Sequence, residues 1–210
     1  MAVQYNPAIV TDGLVLYLDA ANRKSYPGTG TSWFDLSGNN NDFTLSGTLT
    51  FSSSSGFSNF SSTNKITRSN FPQNLSSNGF TSLCWARAVT QAGYQKLIGN
   101  GDVENYIDLY IGTTGKYRIE AGAAGFYNNN ISVGIETLQA DDGIWRMYGA
   151  YESTLPVTNP SVPFGIGNEG NTAFNYPWAG NIYSVMIYSR VLSSYEITQN
   201  FNALRGRFGI

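Results

Sequence analysis

The stretch from Trp178 to Ile210 constrains the fold more than any other. After Gly180 and Asn181 comes the run Ile182-Tyr183-Ser184-Val185-Met186-Ile187-Tyr188. Most of it is β-branched or aromatic with few polar breaks, the pattern of a strand buried on both faces. Ser193 then opens a helix, with Glu196 at the third position after it. In Ser-x-x-Glu the hydroxyl accepts from the N3 amide and the carboxylate from the N-cap amide. Ile197, Phe201 and Leu204 fall on one helical face. The helix is expected over residues 193–205, with Gly206 ending it and residues 206–210 as a tail. A β chain that closes on one short helix belongs to a narrow architectural class.

Composition supports the same class. A chain of 210 residues fits one domain, 1–210, with residues 1–12 as an N-terminal arm. Only 12% of residues are charged, 14% are aromatic and 23 are glycine, which suits a turn-rich all-β protein. A disordered chain would lack the aromatics. The net charge of -2 and pI near 5.0 exclude a phosphate-backbone binder, so no nucleic acid partner is expected. No window is long and apolar enough to span a bilayer, so no membrane partner is expected either. Met1 to Tyr5 lacks a basic region followed by an apolar core, so the chain is expected to stay in the cytosol or leave by lysis.

Two residue counts remove whole chemistries. The chain has no histidine, which excludes Ser-His-Asp triads and zinc-histidine sites. Its one cysteine, Cys84, lies in the strand-like run Phe80 to Ala86 and has no histidine to activate it. A core position is expected for it.

Short strands and frequent breaks run along the rest. Gly13 to Asp19 is the first good strand. Phe43-Thr44-Leu45 and Leu49-Thr50-Phe51 alternate around Ser46-Gly47 as a hairpin would. Ile66 to Arg68 reads as an edge strand, and Phe80 to Val89 and Lys96 to Ile98 as further strands. Tyr106 to Ile111 and Lys116 to Glu120 flank the turn Thr113-Thr114-Gly115. Ile131 to Val133 and Trp145 to Tyr151 follow, and the prolines of Leu155 to Pro163 exclude a central strand there. The fold class expected is an all-β antiparallel sandwich, a jelly roll, with one short C-terminal helix.

A family resemblance rests on several of these stretches. Asp12 to Asp19, followed by Trp33-Phe34-Asp35-Leu36-Ser37-Gly38-Asn39, resembles the opening of a LamG-like, concanavalin A-like jelly roll. Gly79 to Trp85 is similar to that family's inner tryptophan strand, and Asp142 to Arg146 to its second one. Gly180 to Glu196 and Ile197 resemble its closing strand and helix. The final residues, Asn200 to Ile210, resemble the ending of such domains in tailed-phage virion proteins. One departure is plain: Tyr148 to Tyr151 runs into the proline-rich Leu155 to Pro163, where the family carries a hairpin.

Glycoside hydrolysis uses two carboxylates across the sugar. Asp102 with Glu104, and Asp141 with Asp142, are spaced for turns instead. Gly165-Ile166-Gly167-Asn168-Glu169-Gly170 matches G-x-G-x-x-G, but Pro163 precedes it and no helix can start in Asn171 to Pro177, so it reads as a glycine-rich loop. No cofactor is expected. Asp35, Ser37, Asn39 and Asp42 offer oxygens that could suit calcium, although an Asx turn at Asp35 accounts for them better. Sugar binding needs an aromatic platform beside amides. Tyr176 and Trp178 next to Asn175, and Phe126-Tyr127 next to Asn128, Asn129 and Asn130, are the candidates. Trp33, Trp85 and Trp145 are expected to pack inside.

The expected function is therefore non-enzymatic. The resemblance implies a virion structural protein, on the capsid or tail, assembled in the host cytoplasm and acting through contacts with other virion proteins or further copies of itself. The alternative is a carbohydrate-binding module that recognises host surface glycan, and a glycoside hydrolase comes last. For the first, Arg205, Arg207, Phe208 and Ile210 are the candidate interface. Phe208 and Ile210 would each gain about 2 kcal/mol from burial. Either the chain's own sheet beside Val3 to Pro7 covers them, or a neighbouring subunit does.

Overall fold

The computed structural model describes residues 7–69, 71, 79–88, 93–99, 106–111, 117–122, 146–152, 163–170 and 175–209. Among them, thirteen strands make two antiparallel sheets, followed by one α-helix. One sheet holds β1 (Leu14–Asp19), β4 (Thr50–Ser52), β5 (Gly56–Ser58), β7 (Phe80–Ala88), β11 (Arg146–Glu152) and β13 (Gly180–Tyr188). The other holds β2 (Ser32–Trp33), β3 (Phe43–Ser46), β6 (Lys65–Arg68), β8 (Gln95–Gly99), β9 (Tyr106–Ile111), β10 (Tyr117–Gly122) and β12 (Phe164–Ile166). The expected all-β sandwich with one C-terminal helix is what the chain forms.

β13 is the spine of the first sheet. It pairs with β7 along one edge, and with β1 and β5 along the other. Its residues alternate between two apolar cores. Ile182, Val185 and Ile187 join Leu16, Trp33, Phe43, Phe57, Phe80, Cys84, Ile98, Phe164 and Ile166 between the sheets. Tyr183, Met186 and Tyr188 join Leu83 and Trp85 on the outer face. A register shift between Ile182 and Ser184 inserts Tyr183 as an extra residue, a bulge that keeps both faces apolar. This is why the run lacks the polar alternation of a half-exposed strand. Cys84 lies wholly within the inter-sheet core, and burial pushes its thiol pKa up, as expected of a packing residue.

The helix α1 (Ser194–Leu204) covers the outer face. Ser193 is its N-cap, and both halves of the capping box with Glu196 are made. Ile197 and Leu204 are buried, while Phe201 is half-buried and stacks on Trp85 with ring centroids 5.3 Å apart. A polar staple fixes the helix to the rest. Asn200, fully buried, accepts from the Val10 amide at 2.9 Å and donates to the Tyr188 hydroxyl, which in turn donates to the Val10 carbonyl. Every polar atom of that junction has a partner, as burial demands.

Four expectations need correction. Gly206 does not end the helical segment: the backbone tightens into a 3-10 turn over Arg205–Phe208, and Gly209, at φ +73°, supplies the left-handed stop. β3 and β4 are not a hairpin, because they lie in different sheets. Gly47 is left-handed at φ +75°, and the Asn64 and Asn59 side chains hold the Thr48 amide and carbonyl, which sends the chain across the sandwich. The hairpin in this region is β4–β5, closed around Ser53 to Ser55. β6 is not an edge, since it pairs with β3 on one side and β12 on the other. Gly165 is not in a loop: it sits in β12, between β6 and β8, and only the part after Ile166 turns. The expected pairing of Tyr106–Ile111 with the strand after it holds as β9 with β10. Ile131 to Val133, Trp145 and most of Leu155 to Pro163 lie outside the described residues.

Candidate aromatic site beside β8

Three tyrosines and an ion pair converge at the start of β8. Lys96 on β8 stands across from Tyr110 on β9, so their side chains share a face. Lys96 is 6% exposed and its ammonium forms an ion pair with the Glu169 carboxylate, which is 2% exposed. The same ammonium lies 5.8 Å from the centre of the Tyr176 ring, within cation–π range. Tyr94, two residues before Lys96, leans on both other rings. Its centroid is 5.6 Å from that of Tyr110 and 5.7 Å from that of Tyr176, tilted in each case. Tyr110 is buried, Tyr176 is half-buried and Tyr94 is 45% exposed.

The backbone holds this arrangement from both sides. The Lys96 amide donates to the Tyr176 carbonyl, the Gly167 amide to the Leu97 carbonyl, and the Trp178 amide to the Gly167 carbonyl. Gln95 accepts from the Ala179 amide. Asn168, 2% exposed, ties the turn together: its oxygen accepts from the Glu169 and Tyr176 amides, and its nitrogen donates to the Ser61 carbonyl and to the Asn175 side chain. Tyr176 and Glu169 are thus set in place by hydrogen bonds other than their own side chains' contacts. Chemically the cluster offers a partly exposed ring, a buried ion pair, and the exposed side chain of Asn175.

The sequence-derived candidates fare differently. Tyr176 and Asn175 belong to the cluster. Trp178 is corrected: at 1% exposure its ring lies in the inter-sheet core, its indole N–H donates to the Asn181 carbonyl, and it offers no platform. Tyr127, Asn128 and Asn129 lie outside the described residues, as do Asp102, Glu104, Asp141 and Asp142. Trp33 and Trp85 are wholly buried, as expected. Tyr94, Lys96, Tyr110, Asn168 and Glu169 were missed. The last two were seen only as the variable letters of a glycine pattern. The one local signal is Tyr94-x-Lys96, an aromatic just before β8 and a cation two residues on within it.

The other candidates are used internally. The Asp35 carboxylate accepts from the Tyr17, Ser37 and Asn41 amides and from the Ser37 hydroxyl, which is the Asx turn. Asp42 accepts from the Asp35 amide, and the Asn39 side-chain nitrogen donates to the Leu14 and Val15 carbonyls. Beside this loop lies an open cavity of about 450 Å³ lined by Gly13, Leu14, Val15, Asn39, Asn41 and Ser189. At the tail the chain's own sheet is the cover. Phe208 stacks on Trp85 at 4.4 Å and meets Tyr183 edge-on at 4.8 Å. Arg207 pairs at 2.7 Å with Asp19, which is fully buried and also accepts from the Tyr17 hydroxyl. That neighbouring carboxylate adds to burial in pushing the Tyr17 pKa up. Arg207 and Phe208 thus make contacts within the chain, while Arg207 keeps 37% of its side chain exposed and Phe208 is half-buried. Arg205 is exposed, and Ile210 lies outside the described residues.

The whole fold has clear counterparts. Trypanosoma rangeli sialidase superposes with a TM-score of 0.61 and 16% identity over 95% of this chain. The match covers 34% of the sialidase, so the chain spans about a third of that enzyme's length. Domain 4 of AbnA, a GH43 extracellular arabinanase from Geobacillus stearothermophilus, in complex with arabinotriose, gives a TM-score of 0.60 and 18% identity, covering 90% of this chain and 98% of that one. The binding domain of botulinum neurotoxin DC in complex with SialylT gives 0.60 and 13%, covering 92% and 52%. The shared feature is the β-sandwich fold. No protein-family model and no curated protein sequence matches the chain.

Proposed function

We propose that the chain is a carbohydrate-binding module that holds glycan without cleaving it, and that Tyr94, Tyr110, Tyr176, Lys96, Glu169 and Asn175 form its site. The observation that carries this reading is Tyr94. A ring that is 45% exposed and rests against Tyr110 and against Tyr176, the ring the ion-paired Lys96 approaches, offers a stacking surface rather than core. Sugar rings stack on such faces through their C–H groups, while amides and charged groups nearby meet the hydroxyls. The arabinanase domain in complex with arabinotriose lends support, since nearly its whole length shares this sandwich. The carboxylate in the cluster, Glu169, is ion-paired, whereas hydrolysis uses two carboxylates with separate roles. Display on a phage particle, which the sequence resemblance implies, would turn this site toward host-surface glycan.

A glycan microarray probed with the purified chain tests the reading. Specific binding is expected, with the signal lost in Tyr94→Ala and Tyr176→Ala proteins that remain folded. A blank array from well-folded protein refutes it. Release of reducing ends from a bound oligosaccharide would refute the non-catalytic part.

A further inference from the structure

We infer that the open cavity beside β1 is a second ligand site, one that takes the hydroxyls of an uncharged sugar ring. It lies at β1 of the first sheet, whereas the Tyr94 cluster gathers at β8 of the second, and the two share no residue. Its volume of about 450 Å³ is that of a small-ligand pocket. An irregularity of the strand shapes it. The register of β1 against β13 shifts between Leu14 and Leu16, so Val15 is an extra residue there. Such bulges release backbone groups from the ladder. The Val15 carbonyl accepts from the Ser37 hydroxyl at 3.0 Å, from the Asn39 side-chain nitrogen at 3.2 Å and from that of Asn41 at 2.9 Å. The Asn39 nitrogen also donates to the Leu14 carbonyl at 3.0 Å.

These bonds decide which end of each amide is left for a ligand. A side-chain amide has donors on its nitrogen and acceptor lone pairs on its oxygen. The nitrogens of Asn39 and Asn41 are spent on backbone carbonyls. A reversed amide would set oxygen against oxygen, so both orientations are fixed. The oxygens remain, and among the described residues neither Oδ1 accepts a hydrogen bond. Asn41 is only 3% exposed, yet it lines the cavity, so its Oδ1 is a buried acceptor for which a ligand hydroxyl supplies the missing donor. The Ser189 hydroxyl donates to the Gly13 carbonyl at 3.3 Å and keeps its lone pairs for another donor. The site thus holds acceptors rigidly and calls for a ligand rich in donors. No charged side chain lines it among the described residues, so a cation would find neutral oxygens and no counter-charge. Leu14 and Val15, both half-buried, add an apolar wall. Fixed acceptors beside an apolar wall match one neutral sugar ring, with its hydroxyls on the amides and its C–H groups on the wall.

Nuclear magnetic resonance of the isotope-labelled full chain tests this. The probes are methyl β-galactoside, methyl α-mannoside, methyl β-glucoside and arabinotriose, with ethylammonium chloride and calcium chloride as charged comparisons. At least one sugar is expected to shift the side-chain amide signals of Asn39 and Asn41 and the backbone amide of Val15, saturating in the millimolar range that a few hydrogen bonds provide. Ser189→Phe puts a ring at a lining position and leaves both amides in place, so it should abolish those shifts. Asn41→Leu keeps the size and removes the acceptor, and should weaken binding about tenfold. If that variant does not fold, Asn39→Ala, at an exposed position, should show the weakening instead. Tyr94→Ala should leave the shifts unchanged. No shift of these signals by any sugar overturns the inference, and sugar-induced shifts confined to the Tyr94 cluster would then leave the first site standing. Shifts that persist unaltered in Ser189→Phe also overturn it, as does ethylammonium or calcium moving the same signals at lower concentration than every sugar.

Discussion

The outer face of the first sheet and the cluster beside β8 are built from the same parts in opposite order. Each has aromatic rings next to an ion pair. On the outer face the rings are underneath. Trp85 is wholly buried, Phe201 and Phe208 stack on it at 20° and 21°, and the cation, Arg207, sits at the rim with 37% of its side chain exposed. Beside β8 the charges are the buried part and a ring is the exposed one: Lys96 and Glu169 are buried while Tyr94 is 45% exposed. The first order closes a surface, because near-parallel rings seal it and the wet cation clamps the tail. The second order leaves the Tyr94 ring partly exposed. Ring content alone therefore says little about function; what lies above the ring decides it.

The largest effect should come from the sealed side. Trp85→Ala removes the ring on which both Phe201 and Phe208 stack, and should cost about 3–5 kcal/mol in urea unfolding. An unchanged midpoint would mean that the outer face is not a second core. Arg207→Met should come next. It leaves Asp19 buried with the Tyr17 hydroxyl and the Ala21 amide as its remaining donors. A fully buried broken pair would cost more, but Arg207 is over a third exposed, so about 1–2 kcal/mol is expected. Loss confined to the tail, seen as faster exchange of the amides of residues 205–208, would mark it as a clamp.

The two regions also differ in how far the sequence discloses them. The helical end was legible because its determinants are local. Ser193 and Glu196 lie one turn apart, and the two-faced character of Ile182 to Tyr188 is written in consecutive letters. Its one error was local too, since Gly206 precedes a further 3-10 turn that only Gly209 stops. The cluster beside β8 is made of pieces 73 residues apart in the case of Lys96 and Glu169. No periodicity links them; the pairing of β12 with β8 does. The same limit explains β3 and β4. A period of two identifies a strand but not its partner, and two asparagines at positions 59 and 64 redirected the chain. Trp178 was misjudged because a tryptophan beside Asn175 and Tyr176 looks like a platform until the Gly167 and Asn181 carbonyls are seen to turn it inward.

A smaller effect belongs to the helix start. The Arg190 guanidinium, and after it the Ser193 amide, hold the Glu196 carboxyl down from its ordinary 4.5 to about 2. A depressed folded-state value means that the charged form stabilises the fold. Its contribution is fully present above pH 4.5 and is lost as pH falls toward 2. Glu196 is at the surface, so the amount is about 1 kcal/mol or less. Urea midpoints of the wild type and Glu196→Gln should converge across that window, and a difference that persists unchanged at its acid end would assign the cap to shape rather than charge.

The smallest effect on stability should be the most informative about function. Tyr94→Ala removes a ring that is nearly half exposed and meets Tyr110 and Tyr176 at a tilt, so the cost should be about 0.5 kcal/mol. Tyr94→Phe should cost less still, because stacking needs the ring and not the hydroxyl. In glycan binding the order should invert. Tyr94→Ala should lose tenfold or more, the scale of one aromatic contact with its buried area, while Tyr94→Phe should hold most of the affinity. A Tyr94→Ala protein as unstable as Trp85→Ala would place this ring in the packing of the sandwich. The two aromatic regions would then differ in exposure but not in role.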